Sequence, residues 1–114
     1  PKIYQVNWFR KDAEGNYIWP GYGENSRVLA WIVDRLEGLV EADETPIGRM
    51  PKPGDLDVTG LDIDPDALAG LFEVDRDSWL AEADLTAEYF TKFGDKVPAE
   101  LYAQLEAIKA RLSA

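Results

Sequence analysis

Residues 19–29 read Trp-Pro-Gly-Tyr-Gly-Glu-Asn-Ser-Arg-Val-Leu, and this stretch decides how the first third of the chain folds. A glycine on each side of one aromatic residue lets the backbone bend sharply and approach a ligand closely. Asn25 and Ser26 are both good N-caps. The apolar residues that follow them form an amphipathic stripe of Val28, Leu29, Ile32, Val33 and Leu36. We therefore predict a helix that begins near Asn25 or Ser26 and stops at Gly38.

The residues before this stretch predict two short strands. Side chains alternate from Lys2 to Trp8, which is typical of a strand. Residues 12–16 form a polar run with glycine and predict a hairpin-type turn, after which residues 17–19 return as a second short strand. We expect the strand around Ile3–Val6 to pair with strands that are not in this chain. We therefore expect an exposed edge or apolar face around Tyr4, Val6 and Trp8.

The residues after the first helix predict an irregular bridge and then a helical half. Residues 39–61 contain three prolines and three glycines and should form loops with at most short strands. The fold class is therefore α+β. Short N-terminal strands and a hairpin-like loop precede a mainly helical C-terminal half.

Three helices are predicted in that half. Asp64 caps the first, Pro65 occupies its first position, and it runs through Leu71 or Phe72. Asp75 or Asp77 caps the second, which stops at Gly94, and Pro98 opens the third. The inward-facing residues are expected to be Trp79, Leu80, Ala83, Thr86, Tyr89, Phe90 and Phe93 in the second helix and Leu101, Leu105, Ile108 and Leu112 in the third.

Composition excludes several kinds of function. The 114 residues carry a net charge of −10, so nucleic acid and anionic membranes are not expected partners. The chain has no Cys and no His, which excludes disulfides, thiolate nucleophiles, cysteine-ligated metals and histidine general bases. The lack of Cys also fits a reducing cytoplasm. Because the chain opens on Pro1 without an initiator Met, we expect it to be a piece of a longer protein.

The aromatic residues between Trp8 and Asn25 suggest a site for a planar base. Aromatic faces hold a base at about 1–3 kcal/mol per stacked ring. The carboxamide of Asn25 offers both a donor and an acceptor, and it could therefore read the edge of guanine. The alternative is that these aromatic residues simply form a small core, which is the commoner role of such clusters.

Other polar groups give weaker indications. The side chains of Arg10 and Lys11 could reach phosphates, but we favour a solvated charged turn. Asp55, Asp57, Asp62, Asp64 and Asp66 lack the spacing of a calcium loop, and we predict no metal site. No phosphate-binding glycine loop is present. A nucleotide could therefore be held here only at its base, and we expect the isolated 114 residues to be inactive.

Residues 7–12, Gly15 and residues 19–29 resemble the C-terminal region of the GTP-dependent phosphoenolpyruvate carboxykinases. Residues 45–48 also fit that family, and residues 68–112 agree in their helical pattern. The resemblance implies an enzyme of gluconeogenesis, a decarboxylating lyase that converts oxaloacetate and GTP to phosphoenolpyruvate, GDP and carbon dioxide. It also implies manganese and magnesium ions that this segment does not ligate, a monomeric full-length enzyme and a cytoplasmic location.

The same resemblance implies roles for particular residues. Phe9 and Tyr22 would sandwich guanine, Tyr17 would wall it, and Asn25 would read its edge. The expected set of binding residues is Trp8, Phe9, Tyr17, Gly21, Tyr22, Gly23, Glu24 and Asn25. Tyr stands at positions 17 and 22 where Phe is usual in the family, and a Tyr ring keeps the stacking face.

The resemblance also divides the chain by role. Residues 1–48 would form the guanine-binding segment and residues 49–114 a helical cover, both belonging to one larger α/β nucleotide-binding domain. The remainder of the same enzyme chain would be the partner. The alternative, from a different class of function, is an independent acidic module that binds a protein and has no catalytic role.

Overall fold

A computed structural model describes residues 1–114. It contains four α-helices, two β-strands and two short 3-10 helices, so the predicted α+β class is confirmed. In chain order the elements are a 3-10 helix at Tyr22–Glu24, α1 at Asn25–Glu37, β1 at Asp43–Thr45, β2 at Gly48–Met50, α2 at Pro65–Gly70, α3 at Arg76–Thr91, a 3-10 helix at Gly94–Lys96 and α4 at Ala99–Ser113. None of these helices has the length and apolar character that crossing a membrane requires.

The chain forms two compact units. The first comprises residues 1–43 and 49–73, and the second comprises residues 44–48 and 74–114. Trp19 and Trp31 are the buried apolar residues of the first unit. Ala83, Leu105 and Leu112 are those of the second. Each unit therefore has only two or three buried apolar side chains.

The predicted first helix is confirmed. Helix α1 ends at Glu37, and Gly38 adopts a left-handed conformation with φ 76°. The amide of Leu39 then donates to the carbonyl of Asp34 at 2.8 Å, which closes the helix end. The predicted capping was wrong, because Glu24 is the N-cap residue and makes no side-chain capping bond. The Asn25 side chain is engaged elsewhere.

The stripe on α1 is only partly buried. Val28 and Ile32 are half-buried, whereas Leu29, Val33 and Leu36 are 55%, 51% and 56% exposed. The buried residue of this helix is Trp31. The helix thus buries one narrow face within its unit and leaves a second apolar line open.

The predicted N-terminal strands were wrong. Residues 1–10 form no strand, and residues 17–19 contribute only one isolated bridge, between Lys11 and Tyr17. Strands need a neighbour for their amide and carbonyl groups, and alternation alone does not supply one. The segment instead lies against α1, where the Tyr4 ring meets Trp31 edge-on at 6.4 Å.

The expected exposure of this segment is largely confirmed. Ile3 is 90% exposed, and Tyr4 and Val6 are 36% and 39% exposed. Trp8, by contrast, is half-buried. The apolar N-terminal face is therefore partly open to solvent at Tyr4 and Val6 and more covered at Trp8.

The short strands lie in the bridge, as expected there. β1 and β2 are joined by two residues and pair into a two-stranded sheet, which must be antiparallel. The Thr45 hydroxyl donates to the carbonyl of Gly48 at 2.6 Å and fixes this turn. Gly48 has φ 129°, a conformation that favours glycine.

Both aspartate caps are confirmed. One carboxylate oxygen of Asp64 accepts from the amides of Asp66 and Ala67, each at 2.9 Å. Asp75 accepts from the amide of Ser78 at 3.0 Å. Helix α2 ends at Gly70, slightly earlier than predicted.

The second unit is built on α3 and α4, which pack on each other. Arg76 at the start of α3 donates to the carbonyl of Leu112 at 2.6 Å and ties the two helices together. The expected inward positions were wrong at Tyr89, Phe93 and Leu101, which are 53%, 46% and 47% exposed. Helix α3 ends at Thr91, so Phe93 lies beyond it. The Tyr89 and Phe93 rings cover each other at 5.2 Å instead.

Candidate functional site

The polar turn at residues 12–16 sets the geometry of the aromatic stretch. The Asp12 amide donates to the carbonyl of Asn16 at 2.9 Å, and an oxygen of the Asp12 carboxylate accepts from the Asn16 amide at 2.8 Å. Ile18 then donates to Arg10 at 3.0 Å across the turn. The predicted hairpin-type turn is confirmed, and it returns the chain so that Tyr17 lies beside Phe9.

Phe9 and Tyr17 form an exposed aromatic pair. Their ring centroids lie 6.1 Å apart, with the rings edge to face. Phe9 is 71% exposed and Tyr17 59% exposed, so most of both ring surfaces faces solvent. The Lys11 ammonium lies 5.0 Å from the Tyr17 centroid, a cation–π contact. The pair offers aromatic surface beside one positive charge.

Trp8 and Trp19 form a second pair with a different character. Their centroids are 6.2 Å apart with the planes tilted by 41°. Trp19 is only 6% exposed and belongs to the core of its unit. The small-core interpretation is therefore right for Trp19, whereas Phe9 and Tyr17 are surface residues. We call Trp8 and Trp19 the inner set and the exposed rings, among them Phe9 and Tyr17, the outer set.

Tyr22 also belongs to the outer set but contacts neither pair. Its ring is 92% exposed and makes no ring contact among residues 1–114. The preceding Gly21 has φ 122° and ψ −175°, a conformation open almost only to glycine. Gly23 has no such conformation. Gly21 is therefore the residue that permits the bend by which the chain leaves the buried Trp19 and presents Tyr22 to solvent.

Asn25, the first residue of α1, is held at both its backbone and its side chain. Its amide donates to the carbonyl of Tyr22. Its side-chain oxygen accepts from the indole nitrogen of Trp19 at 2.9 Å. The side chain is half-buried, and its NH₂ group has no partner among residues 1–114. The predicted edge-reading residue is thus fixed at one end and free at the other.

Glu24 is taken up by an ion pair. Its carboxylate accepts from the Arg27 side chain at 2.6 Å. The same guanidinium donates to the carbonyls of Asp57 and Thr59 at 2.7 and 3.0 Å. Arg27 therefore anchors the loop at 57–59 to the start of α1. This role could not be predicted from the sequence, since no local pattern relates residues thirty positions apart.

The interpretation of Arg10 as a solvated residue was wrong. Its guanidinium donates to the carbonyl of Leu71 at 3.3 Å, and the residue is half-buried. Lys11 is exposed, and its side-chain ammonium makes a cation–π contact with the Tyr17 ring. The two basic neighbours therefore differ, because one ties down the end of α2 and the other remains near the outer aromatic set.

The chemistry available at this site is binding. Exposed aromatic faces can stack on a planar ring, and a free carboxamide NH₂ can donate to an acceptor on its edge. No group of three or more carboxylates is close enough to hold a metal ion. The raised and lowered pKa values lie on surface ion pairs and a loop turn at Glu41, Lys52, Asp57 and Lys109.

The second unit has a concavity of its own. A groove of about 300 Å³ lies between α3 and α4, and its apolar lining includes Trp79, Ala83, Phe90 and Leu105. The polar groups beside it are already engaged: the Thr86 hydroxyl donates to the carbonyl of Glu82 at 2.9 Å, and the Arg111 guanidinium to that of Pro46 at 2.8 Å. It brings together none of the predicted site residues.

Comparison with known proteins identifies a family. Residues 1–111 match the family described as the phosphoenolpyruvate carboxykinase C-terminal P-loop domain. A phosphoenolpyruvate carboxykinase [GTP] of Treponema pallidum is 51% identical over 114 residues, which is 99% of this chain. The enzymes of that name from Renibacterium salmoninarum and Corynebacterium glutamicum are 47% and 46% identical over 98% and 100% of it.

The matches cover only part of each relative. The chain spans 18% of the Treponema and Renibacterium proteins and 19% of the Corynebacterium protein. Within that part the alignment is almost complete, and the family model reaches from the first residue to the last turn of α4. The chain therefore belongs to the GTP-type phosphoenolpyruvate carboxykinase family, in its C-terminal domain.

Proposed function

We propose that the segment from Trp8 to Asn25 holds the guanine base of GTP in a phosphoenolpyruvate carboxykinase whose other residues carry out the reaction. That enzyme converts oxaloacetate and GTP to phosphoenolpyruvate, GDP and carbon dioxide. The observation that carries the proposal is the family match over the whole segment, combined with its exposed rings and its free carboxamide NH₂. Family membership gives no support to an independent protein-interaction module.

The roles we propose are those that the family resemblance implies, with Phe9 and Tyr22 on the two faces of guanine and Tyr17 at its side. The exposure of all three rings supports this assignment. Asn25 reads the edge of the base. Trp8, Gly21, Gly23 and Glu24 shape the surrounding loop, with Gly21 supplying the bend and Glu24 paired to Arg27.

The contribution of this segment to the reaction is positioning. A fixed base anchors one end of GTP, so binding energy far from the reacting atoms can orient the γ-phosphoryl group toward its acceptor. The aromatic faces contribute about 1–3 kcal/mol each through stacking. No residue here is assigned a proton transfer or a bond-forming step.

The metal ions expected for such an enzyme are not assigned to this chain. The resemblance implies that manganese and magnesium would be held by other parts of the enzyme. The division into a guanine-binding segment at 1–48 and a helical cover at 49–114 is likewise a proposal about roles. A monomeric enzyme and a cytoplasmic location stay predictions from the resemblance.

We also propose that α1 contributes to a larger α/β nucleotide-binding domain. Leu29, Val33 and Leu36 follow one another at helical spacing and are more than half exposed, which is unusual for an apolar line on an isolated helix. The chain spans only 18% or 19% of the length of the relatives reported above. We therefore propose that the remainder of the same longer polypeptide packs on this exposed apolar stripe of α1.

The test of the proposed function is Asn25→Ala in the full-length enzyme. It should raise the KM for GTP about tenfold, because one hydrogen bond to the base is lost and the Trp19 indole loses its acceptor. The KM for oxaloacetate should change by less than about twofold, since the truncated group touches only the base.

Ser26→Ala is the matched control, because Ser26 is the next residue on the same helix turn and is exposed. Its KM for GTP should equal that of the wild type. Unchanged GTP kinetics in Asn25→Ala would remove Asn25 from the site. Equal changes in both KM values would assign the effect to general damage.

A further inference from the structure

The contact between Trp19 and Asn25 determines which end of the Asn25 carboxamide is free. An indole N–H can only donate, so the atom of Asn25 that faces it at 2.9 Å must be the oxygen. The orientation of an amide side chain is usually open to a half-turn exchange of oxygen and nitrogen. Here a donor-only partner removes that freedom, and the NH₂ group is left as the end available to a ligand.

We propose that Trp19 is a specificity-determining positioning residue, which fixes Asn25 so that its NH₂ group donates to the O6 atom of guanine. This inference rests on the proposed function, and it adds the atom that is read and the residue that enforces it. Trp19 itself does not touch the nucleotide.

The purine bases differ at the 6-position in whether they accept or donate a hydrogen bond. Guanine and hypoxanthine carry an oxygen acceptor there, whereas adenine carries an amino donor. A donating NH₂ from Asn25 pairs with the oxygen and leaves two donors facing each other when adenine binds. Sites that hydrogen-bond one partner reject the mismatched one because buried polar groups are then left unpaired.

An unrestrained Asn25 would not discriminate in this way. A half-turn of the amide would present its oxygen to adenine at little cost. In this protein the same half-turn would point the NH₂ group at the Trp19 indole N–H, so that bond would be lost and two donors would meet. The hydrogen bond from Trp19 therefore fixes the Asn25 carboxamide so that it presents only its NH₂ donor to the base.

The surroundings hold both partners in place. Trp19 is buried at 6% exposure and packs on the Trp8 ring. The backbone amide of Asn25 is bonded to the carbonyl of Tyr22, which fixes the start of its side chain. No other residue makes a side-chain hydrogen bond to Asn25, so the indole is the one group that sets its orientation.

The experiment measures the dissociation constants of GDP, IDP and ADP by isothermal titration calorimetry on the full-length enzyme. All three nucleotides carry the same ribose and diphosphate, so ratios between them isolate the base. The variant is Trp19→Phe, which keeps an aromatic ring and removes the N–H. The matched control is Trp31→Phe, because the Trp31 indole nitrogen is buried without a hydrogen-bond partner.

In Trp19→Phe the ratio of the ADP constant to the GDP constant should fall about tenfold, the equivalent of one hydrogen bond. The fall should come mainly from tighter ADP binding, which general damage cannot produce. IDP should follow GDP, since both carry O6. Trp31→Phe should keep the wild-type ratio. An unchanged ratio in folded Trp19→Phe, or an IDP constant that follows ADP, overturns the inference.

Asn25→Asp decides the question independently of how well Trp19→Phe folds. One carboxylate oxygen can still accept from Trp19, and the other end becomes an acceptor. GDP should then lose its preference over ADP. A retained GDP preference would show that an oxygen reads the base and would overturn the inference. A wild-type enzyme without a GDP preference would instead contradict the proposed guanine site itself.

Discussion

The outer aromatic residues and the inner Trp19–Asn25 pair occupy the same short stretch but have opposite physical properties. Tyr22 and Phe9 are 92% and 71% exposed and make few contacts. Trp19 is 6% exposed and is hydrogen-bonded to Asn25 at 2.9 Å. Stacking depends on area and tolerates any base, whereas edge recognition depends on fixed polar atoms. The difference suggests that the outer set supplies affinity and the inner pair supplies selection.

Neighbouring positions divide between these two roles. Trp8 is half-buried and packs on Trp19, while Phe9 beside it is open to solvent. Trp19 is buried, and Tyr22 lies three residues further on in solvent. The backbone bend at Gly21 separates the second couple. This bend lets one short segment hold the Trp19 side chain in the core and present the Tyr22 ring to solvent, without a strand or long helix between them.

Gly21→Ala should have the largest effect, because it acts on the outer set and on the Trp19–Asn25 pair at once. With φ 122°, an alanine is strained by about 1–3 kcal/mol even though its Cβ would meet no atom within 4 Å. The strain should raise the rate of local opening at the start of α1, measured by hydrogen exchange of its amides in the full-length enzyme. GDP affinity should fall as well, since Tyr22 and Asn25 both follow the bend.

Gly23→Ala is the control for backbone stability at this turn. Gly23 has no positive φ, and a Cβ there also meets no atom within 4 Å. Its hydrogen exchange should match the wild type. If both variants open equally, the backbone conformation of Gly21 is not what separates the inner and outer sets.

Tyr22→Ala should affect the outer set alone. Affinity for GDP should fall by the value of one stacked ring, about 1–3 kcal/mol. Affinities for IDP and ADP should fall by the same factor, because stacking does not read the base edge. Stability should stay unchanged, since the ring is 92% exposed. Calorimetric titration and thermal unfolding measure the two quantities.

A change in base preference would contradict this division of roles. If Tyr22→Ala alters the ratio between GDP and ADP, the outer ring contributes to selection. Tyr22→Phe serves as the control, because it retains the ring face and should retain the affinity for all three nucleotides.

Local signals in the sequence predicted the parts of this fold that depend on neighbours along the chain. The end of α1 at Gly38 and the caps at Asp64 and Asp75 each rest on one residue type at one position. Alternation at residues 2–8 failed as a strand prediction because a strand also requires a partner, and no strand pairs with that segment here.

The candidate site shows the same limit. Its aromatic residues and Asn25 could be identified from the sequence, and the family resemblance assigned their roles. The hydrogen bond between Trp19 and Asn25 could not be predicted, since an N-cap was the simpler role for that Asn. The anchoring of residues 57–59 by Arg27 depends on a tertiary contact across thirty positions. Sequence patterns identify which residues are available, and packing decides which polar atoms remain free.

The smallest expected effect is on pH dependence. It should appear in loop 57–59 and not in the Trp19–Asn25 hydrogen bond. The backbone amide of Thr59, together with its hydroxyl and the nearby Arg27 guanidinium, lowers the pKa of Asp57 from its ordinary value of 3.8. Because the pKa of Asp57 is lowered in the folded state, the ionised carboxylate stabilises the loop at pH values above 3.8. This stabilisation is lost as the pH falls through the folded-state pKa. Acid should therefore loosen loop 57–59, while the Trp19–Asn25 bond has no titrating group. An NMR titration of the Thr59 amide should have its midpoint below 3.8, and Asp57→Asn should abolish it. A midpoint at or above 3.8, or a matching change in the Trp19 indole signal, would show that the two parts are not independent.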